Sequence, residues 1–165
     1  MVYRIAKESD AEPIAHLHAE SWRNTYRGML SDAYLDNDVF AERRLHWQKR
    51  FDNPASNQWI LVAESEGEIV GFVCNYGADD EKWGTLIDNL HVRPDQKGRG
   101  IGTHLIQKAM DWAQENYPET GVHLFVFEAN ESARYFYEKM GGTNVERFLH
   151  HNEDNTEGYA LRYAW

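Results

Sequence analysis

The chain has 165 residues, enough for one domain whose core buries about two thirds of the unfolded surface. Its 17 basic and 27 acidic residues give a formal net charge of −10, which argues against nucleic acid or an anionic membrane as a partner and favours a cationic one. The single cysteine, Cys74, excludes an internal disulfide, and the absence of a signal-peptide pattern or a membrane-length apolar segment predicts a cytoplasmic protein.

The first third of the chain predicts one short strand and two helical regions. A strand pattern, VYRIA, comes before Ser9 or Asp10, either of which is a candidate N-cap for a helix ending near Gly28. A second helical region spans about residues 31–51 in two pieces, and its predicted apolar side consists of Leu35, Phe40, Leu45, Trp47 and Phe51.

The rest of the chain alternates between strand and helix patterns. Strands are predicted over 58–65, 68–77 and 83–92, and a helix over 100–117 follows them. The apolar run 121–127 predicts a strand covered on both faces, and a helix over 131–140 and two strands over 144–151 and 157–165 complete the pattern. The order β-α-α-β-β-β-α-β-α-β-β predicts a single α/β domain over residues 1–165, with a mixed sheet and helices on its faces.

Three glycines, Gly98, Gly100 and Gly102, lie between the third strand of the 58–92 segment and the helix over 100–117. At such a junction the first amides of the helix lack intrahelical partners, and the helix dipole adds positive charge. The glycines allow these amides to converge on a diphosphate, and Lys97 and Arg99 add further charge. The spacing matches neither a P-loop nor a dinucleotide-binding fingerprint, so the diphosphate site is of another kind.

Two stretches resemble motifs of the GNAT superfamily of acyl-CoA-dependent N-acetyltransferases. The first, LHVRPDQKGRGIG, resembles L-x-V-x-P followed by [Q/R]-x-x-G-x-[G/A], with Lys97 where the family prefers Gln or Arg. The second, NESARYFYEKMGG, resembles N-x-x-A-x-x-[FL]-Y-[ED]-K-x-G, with Gly142 in place of the usual Phe. Together they cover about residues 86–142. The resemblance implies a GNAT-like, mostly antiparallel sheet of about seven strands.

The resemblance also implies acetyl-CoA as co-substrate and no metal. The strand carrying Leu90 to Val92 is expected to splay from the next strand, so that an amide near Leu90 or His91 polarises the thioester carbonyl. Asn130 is expected to contact the cofactor, or else to act as a plain N-cap. Pyrophosphate binding is assigned mainly to the backbone amides of Lys97, Gly98, Arg99, Gly100, Ile101, Gly102 and Thr103.

Tyr137 matches the position of the family's general acid, which protonates the departing sulfur. The alternative is an aromatic residue on a core-facing helix, the role expected of the neighbouring Tyr135 and Phe136. Asp88 is a candidate base and substrate contact, because regular alternation places it on the same sheet face as Leu90. The alternatives are a buried acid satisfied by the backbone or an arginine, and deprotonation through water.

The acceptor pocket is expected to have an aromatic wall of Trp22, Tyr26 and Tyr34, with a core position as the alternative for Trp22. The leading hypothesis is direct transfer of acetyl to a primary amine of a small cationic molecule. Alternatives are a protein N-terminus or lysine as acceptor, a longer acyl donor, and a non-catalytic acyl-CoA sensor. The final strands allow a homodimer. The histidine pairs 16/18 and 150/151 are expected to be structural, since neither has the spacing of a metal site.

Overall fold

A computed structural model describes residues 1–165. It contains seven strands and four helical regions in the predicted order, and the second region is two helices, which makes five in all. The strands are β1 (Val2–Ile5), β2 (Gln58–Ser65), β3 (Glu68–Asp80), β4 (Gly84–Val92), β5 (Val122–Phe127), β6 (Thr143–His151) and β7 (Glu157–Ala164). The helices are α1 (Ala11–Thr25), α2 (Asp32–Asn37), α3 (Val39–Asp52), α4 (Ile101–Asn116) and α5 (Glu131–Lys139). No helix combines the length and the apolar character needed to span a membrane.

The strands form one sheet in the order β1-β2-β3-β4-β5-β7-β6. Every neighbouring pair is antiparallel except β4 and β5, which are parallel. The expectation of a mixed, mostly antiparallel sheet is therefore confirmed.

The parallel pair β4 and β5 separates after a short contact. The two strands are in register only at Thr85 opposite Val122 and at Leu86 opposite His123. On its other side β4 has a bulge, because Cys74 pairs with Asn89 and Asn75 pairs with Ile87, which leaves Asp88 as the extra residue. The bulge bends β4 at the point where it leaves β5, and the sheet opens there.

The helices cover the two faces of the sheet and build separate cores. Alternation along β2 sends Leu61 and Ala63 to a core shared with α4, while Ile60 and Val62 join α1 and α3 around the buried Trp47. The α4 side carries the larger core, of 15 buried residues. Cys74 is buried, as expected.

Three local expectations were wrong, and one was right in position only. Asp10 is the N-cap residue of α1, but its carboxylate makes no capping bond, because it accepts from the Lys7 amide at 2.7 Å and from Arg4. Leu45 is 57% exposed on the outer side of α3. Phe125 of β5 is 44% exposed, and Tyr135 points to solvent from α5 at 70% exposure.

The contact between β4 and β5 depends on Gly84, which has a φ of +84° and lies against the backbone of Gly121. A Cβ at Gly84 would lie 2.7 Å from the Gly121 nitrogen.

We predict that Gly67→Ala, at a φ of +83° with open space around it, lowers the free energy of unfolding by about 1 kcal/mol. Gly84→Ala should cost about 1–3 kcal/mol more, because a steric clash is added to the same backbone strain.

Urea denaturation of the two variants beside the parent protein measures this difference. Equal losses in both variants would show that the close approach at Gly121 contributes nothing.

Candidate active site

A cleft of about 670 Å³ lies where β4 and β5 separate, bounded by α1, the start of α4 and α5. It brings together residues far apart in the sequence, from Ser21 to Lys139. Arg99 was predicted to lie at this site, but it does not line the cleft. The predicted cofactor contacts that do line it are Leu90, His91, Val92, Lys97, Gly98, Gly100, Ile101, Gly102, Thr103 and Asn130.

The start of α4 presents a row of free amides. Gly100 is the N-cap, with a left-handed φ of +79°, and no atom lies within 4 Å of where its Cβ would be. The backbone N–H groups from Gly98 to Thr103 donate to no protein acceptor. Because these groups are unpaired at the positive end of a 16-residue helix, the site is suited to an anion with several oxygens.

Tyr137, which belongs to α5, also lines the cleft. Its ring packs 6.1 Å from that of Tyr163 and edge-on to Trp165 at 6.3 Å. Burial, together with the nearby Tyr26, raises the pKa of the Tyr137 phenol, so it keeps its proton at neutral pH. Asn130 caps α5 by accepting from the Ala133 amide at 3.3 Å, and it also lines the cleft.

The expected orientation of Asp88 was wrong. Because of the bulge, Leu90 and Val92 pack toward the α4 core, whereas Asp88 turns to the opposite face and accepts from Arg50 of α3 at 2.6 Å. Its second oxygen, Oδ1, has no protein partner. Asp88 still reaches the cleft, at the edge where the two faces of the opened sheet meet.

Arg50 holds Asp88 in place and was missed by the sequence analysis. Its guanidinium donates to Asp88 and to Asn89 and lies over the rings of Trp47 at 4.9 Å and Tyr76 at 5.3 Å. The only hint of this role in the sequence was the position of Arg50 one turn after the predicted core residue Trp47. That spacing is common on amphipathic helices and does not identify a site residue.

His91 faces the α1 side of the sheet, and its Nδ1 lies 2.8 Å from the Ser21 hydroxyl. Its ring lies 4.5 Å from that of His18, which accepts from Trp47 Nε1 at 2.9 Å. Burial, with smaller contributions from Lys97 and Arg43, lowers the pKa of His91 to about 3. The buried His18 and the partly buried His91 are therefore both neutral at physiological pH.

A second cavity, of about 300 Å³, adjoins the cleft. Both cavities are bordered by Trp22, Tyr26 and Asp88, while Tyr34 and Phe127 line the second cavity only. The aromatic wall predicted from residues 22, 26 and 34 is thus brought together in space, although Tyr34 is 95% buried. The polar residues of the second cavity were not predicted as site residues. They are Arg43, His46, Arg50, His150, Asn152 and Glu153.

Comparisons with known proteins agree with this architecture. The Acetyltransferase (GNAT) family matches residues 10–142. An uncharacterized N-acetyltransferase of Archaeoglobus fulgidus is 32% identical over 83% of this chain and 89% of its own length. The uncharacterized N-acetyltransferase YhfO of Bacillus subtilis is 32% identical over 92% of this chain and 95% of its own.

Among solved structures, the PaiA N-acetyltransferase of Thermoplasma acidophilum in complex with coenzyme A shares the fold, with a TM-score of 0.74 and 19% identity over the whole of both chains. The parted strands and the match over residues 10–142 define a GNAT-fold acyltransferase. This chain belongs to the Acetyltransferase (GNAT) family, which confirms the resemblance drawn from its two motifs.

The neutral state of His91 predicts how stability depends on pH. In the unfolded chain the imidazole binds a proton below about pH 6.5, whereas in the folded protein it does so only near pH 3. Since the unfolded state binds more protons in this window, the free energy of unfolding falls as the pH decreases through it. We predict that His91→Gln reduces this slope between pH 6.5 and 5 by up to about 1.4 kcal/mol per pH unit.

Urea denaturation at several pH values measures the slopes. The exposed His151, on β6, supplies the control His151→Gln, which should leave the slope near that of the parent protein. A parent-like slope in His91→Gln would mean that this imidazole does not remain neutral on folding.

Proposed function

We propose that this protein transfers the acetyl group of acetyl-CoA to a primary amine of a small cationic acceptor, by direct transfer in a ternary complex. The observation that carries the proposal is that two cavities meet at one carboxylate, that of Asp88. One cavity presents the free amides of α4, and the other is walled by aromatic and charged side chains. Such a junction lets donor and acceptor approach each other without a covalent intermediate on the protein.

The residues at the start of α4 fit a diphosphate. The N–H groups from Gly98 to Thr103 are free, no atom lies within 4 Å of a Cβ position at Gly98 or Gly100, and Lys97 lines the cleft beside them with its positive charge. We assign them to the pyrophosphate of acetyl-CoA, with Asn130 as a further contact and the β4 backbone from Leu90 to Val92 beside the pantetheine arm. When bound, acetyl-CoA supplies the acetyl group and a thiol leaving group.

The protein's own groups then handle protons and charge. Tyr137 holds a proton on its hydroxyl, which makes no hydrogen bond within the protein and so remains available to a departing sulfur. Asp88 presents its unpaired Oδ1 to the second cavity and accepts a proton from the amine, while Arg50 fixes its other oxygen. An amide near Leu90 or His91 stabilises the charge that develops on the carbonyl oxygen.

The outer end of the second cavity supports a small acceptor. Asp154, in the loop between β6 and β7 (residues 152–156), accepts from the Ser31 amide at 2.6 Å and so ties that loop to the start of α2. The tie holds the loop that contributes Asn152 and Glu153 to the wall of this cavity of about 300 Å³. A compact molecule fits this space better than a folded protein surface does.

The assignment of the α4 amides predicts a loss of binding in Gly100→Glu. A hundredfold excess of CoA over its Kd should raise the melting temperature of the parent protein by about 5–10 °C. Gly100→Glu places bulk and negative charge at the amides and should abolish the shift. The control Gly67→Glu has the same type of backbone strain in open space and should keep the shift. A full CoA shift in folded Gly100→Glu would contradict the assignment.

The roles of Tyr137 and the amine acceptor are tested by thiol release from acetyl-CoA across a panel of amines. We expect turnover with small cationic amines, and a drop in kcat of about 10²-fold or more in Tyr137→Phe, with the CoA-induced melting shift retained. Tyr135→Phe, two residues away and exposed, should behave like the parent protein.

Near-parental turnover in Tyr137→Phe, with chemistry shown to be rate-limiting, would make Tyr137 a packing residue only. No thiol release with any amine would contradict the proposed acceptor class.

A further inference from the structure

A cluster of two carboxylates and one guanidinium lies at the end of the second cavity that is remote from the cleft. Arg43, which is buried, donates to Glu42 at 2.8 Å and to both oxygens of Glu153 at 3.0 and 3.1 Å. Arg43 also lies 4.5 Å above the ring of Trp22, which fixes the plane of its guanidinium. Of the two carboxylates, that of Glu153 lines the cavity.

The cluster lacks one positive charge. The Tyr34 hydroxyl lies 2.9 Å from an oxygen of Glu42 and 2.9 Å from an oxygen of Glu153. A phenol has one hydrogen, so it satisfies one carboxylate only, and the second contact is repulsive unless that carboxylate is neutralised. Partial burial and the neighbouring Glu42 raise the pKa of Glu153.

No other basic side chain of the cavity wall supplies the missing positive charge. Arg50 is already matched by Asp88 at the end nearest the cleft. His46 lies between the two arginines, and burial together with their charge lowers its pKa to about 4, so it is neutral. His150 packs edge-on to Phe127 at 6.1 Å and lies outside the hydrogen-bonded cluster.

Helix α3 sets the spacing between the two ends of the cavity. Arg43 and Arg50 lie two turns apart on α3, a rise of about 10 Å along the helix axis. Each arginine holds one cavity-lining carboxylate, Glu153 at the far end and Asp88 next to the cleft. Aromatic side chains wall the space between them, which suits methylene groups and favours a cation.

We propose that the acceptor is an elongated diamine, with the amine to be acetylated at Asp88 and a second, protonated amine bound by Glu153 at the other end of the second cavity. The inference rests on the proposed function and extends it by naming the second charge and its partner. Glu153 is a specificity-determining residue in this arrangement, and Asp154 positions it by tying the loop 152–156 to Ser31.

The first test uses the parent protein and three acceptor series of matched chain length: linear diamines, amino alcohols and monoamines. We expect kcat/KM for diamines of the fitting length to exceed that for the other two series by about tenfold to a hundredfold, the effect of one charge-assisted hydrogen bond. Amino alcohols have the same length and a polar group at each end, but they carry one positive charge instead of two. Equal kcat/KM across the three series would overturn the inference while leaving amine acetylation intact.

The second test uses Glu153→Gln, which keeps the shape of the side chain and leaves Glu42 to match Arg43. In this variant the ratio of kcat/KM for the fitting diamine to kcat/KM for the matched monoamine should fall toward one. It should persist in Glu157→Gln, on the same hairpin but outside the second cavity. A preference that survives Glu153→Gln would overturn the assignment to that carboxylate.

A binding measurement separates this inference from the proposed function. With CoA saturating, the fitting diamine should raise the melting temperature of the parent protein more than the matched monoamine does, whether or not thiol is released. Diamine-specific stabilisation without thiol release would contradict the proposed function and support the subsite. Equal shifts with both ligands would refute the subsite.

Discussion

The separation of β4 from β5 is the constraint on which the rest of this site depends. Two parallel strands that stayed paired beyond Leu86 and His123 would close the sheet with hydrogen bonds and leave no room for a ligand. The bulge at Asp88 bends β4 away, and the start of α4 then lies beside the opening. The cleft and the position of its carboxylate depend on one extra residue in one strand, whereas the amide row depends on the glycines at the start of α4.

Local patterns in the sequence were sufficient to predict most of the fold. The apolar period of α4 and the turn at Glu66-Gly67 depend on residues close together in the chain, and both were predicted with nearly correct bounds. The anion-binding character of the glycine segment was also predicted, because a helix start with free amides is a local feature. Asp88 was placed on the wrong face, since counting alternate residues assumes a regular strand and nothing local marks the bulge.

The second cavity could not be predicted for a different reason. Its charged end joins Arg43 to Glu153, which are 110 positions apart, and each looks like an ordinary surface residue in its own segment. Charges on helices are mostly solvated, so a sequence pattern gives no ground for pairing these two. The overall acidic balance pointed toward cationic ligands without indicating where one would bind.

The two cavities share Trp22, Tyr26 and Asp88, but their other walls come from different stretches of the chain. The amide row and Tyr137 lie within residues 98–137, whereas Glu153 lies in a short loop that is held from outside its hairpin through the side chains of Asp154 and Glu153. Substitutions in that loop alter the far wall of the second cavity without touching either β4 or α4. Under the proposed function, a few substitutions in that loop would change the acceptor while leaving the residues beside the parted strands unaltered.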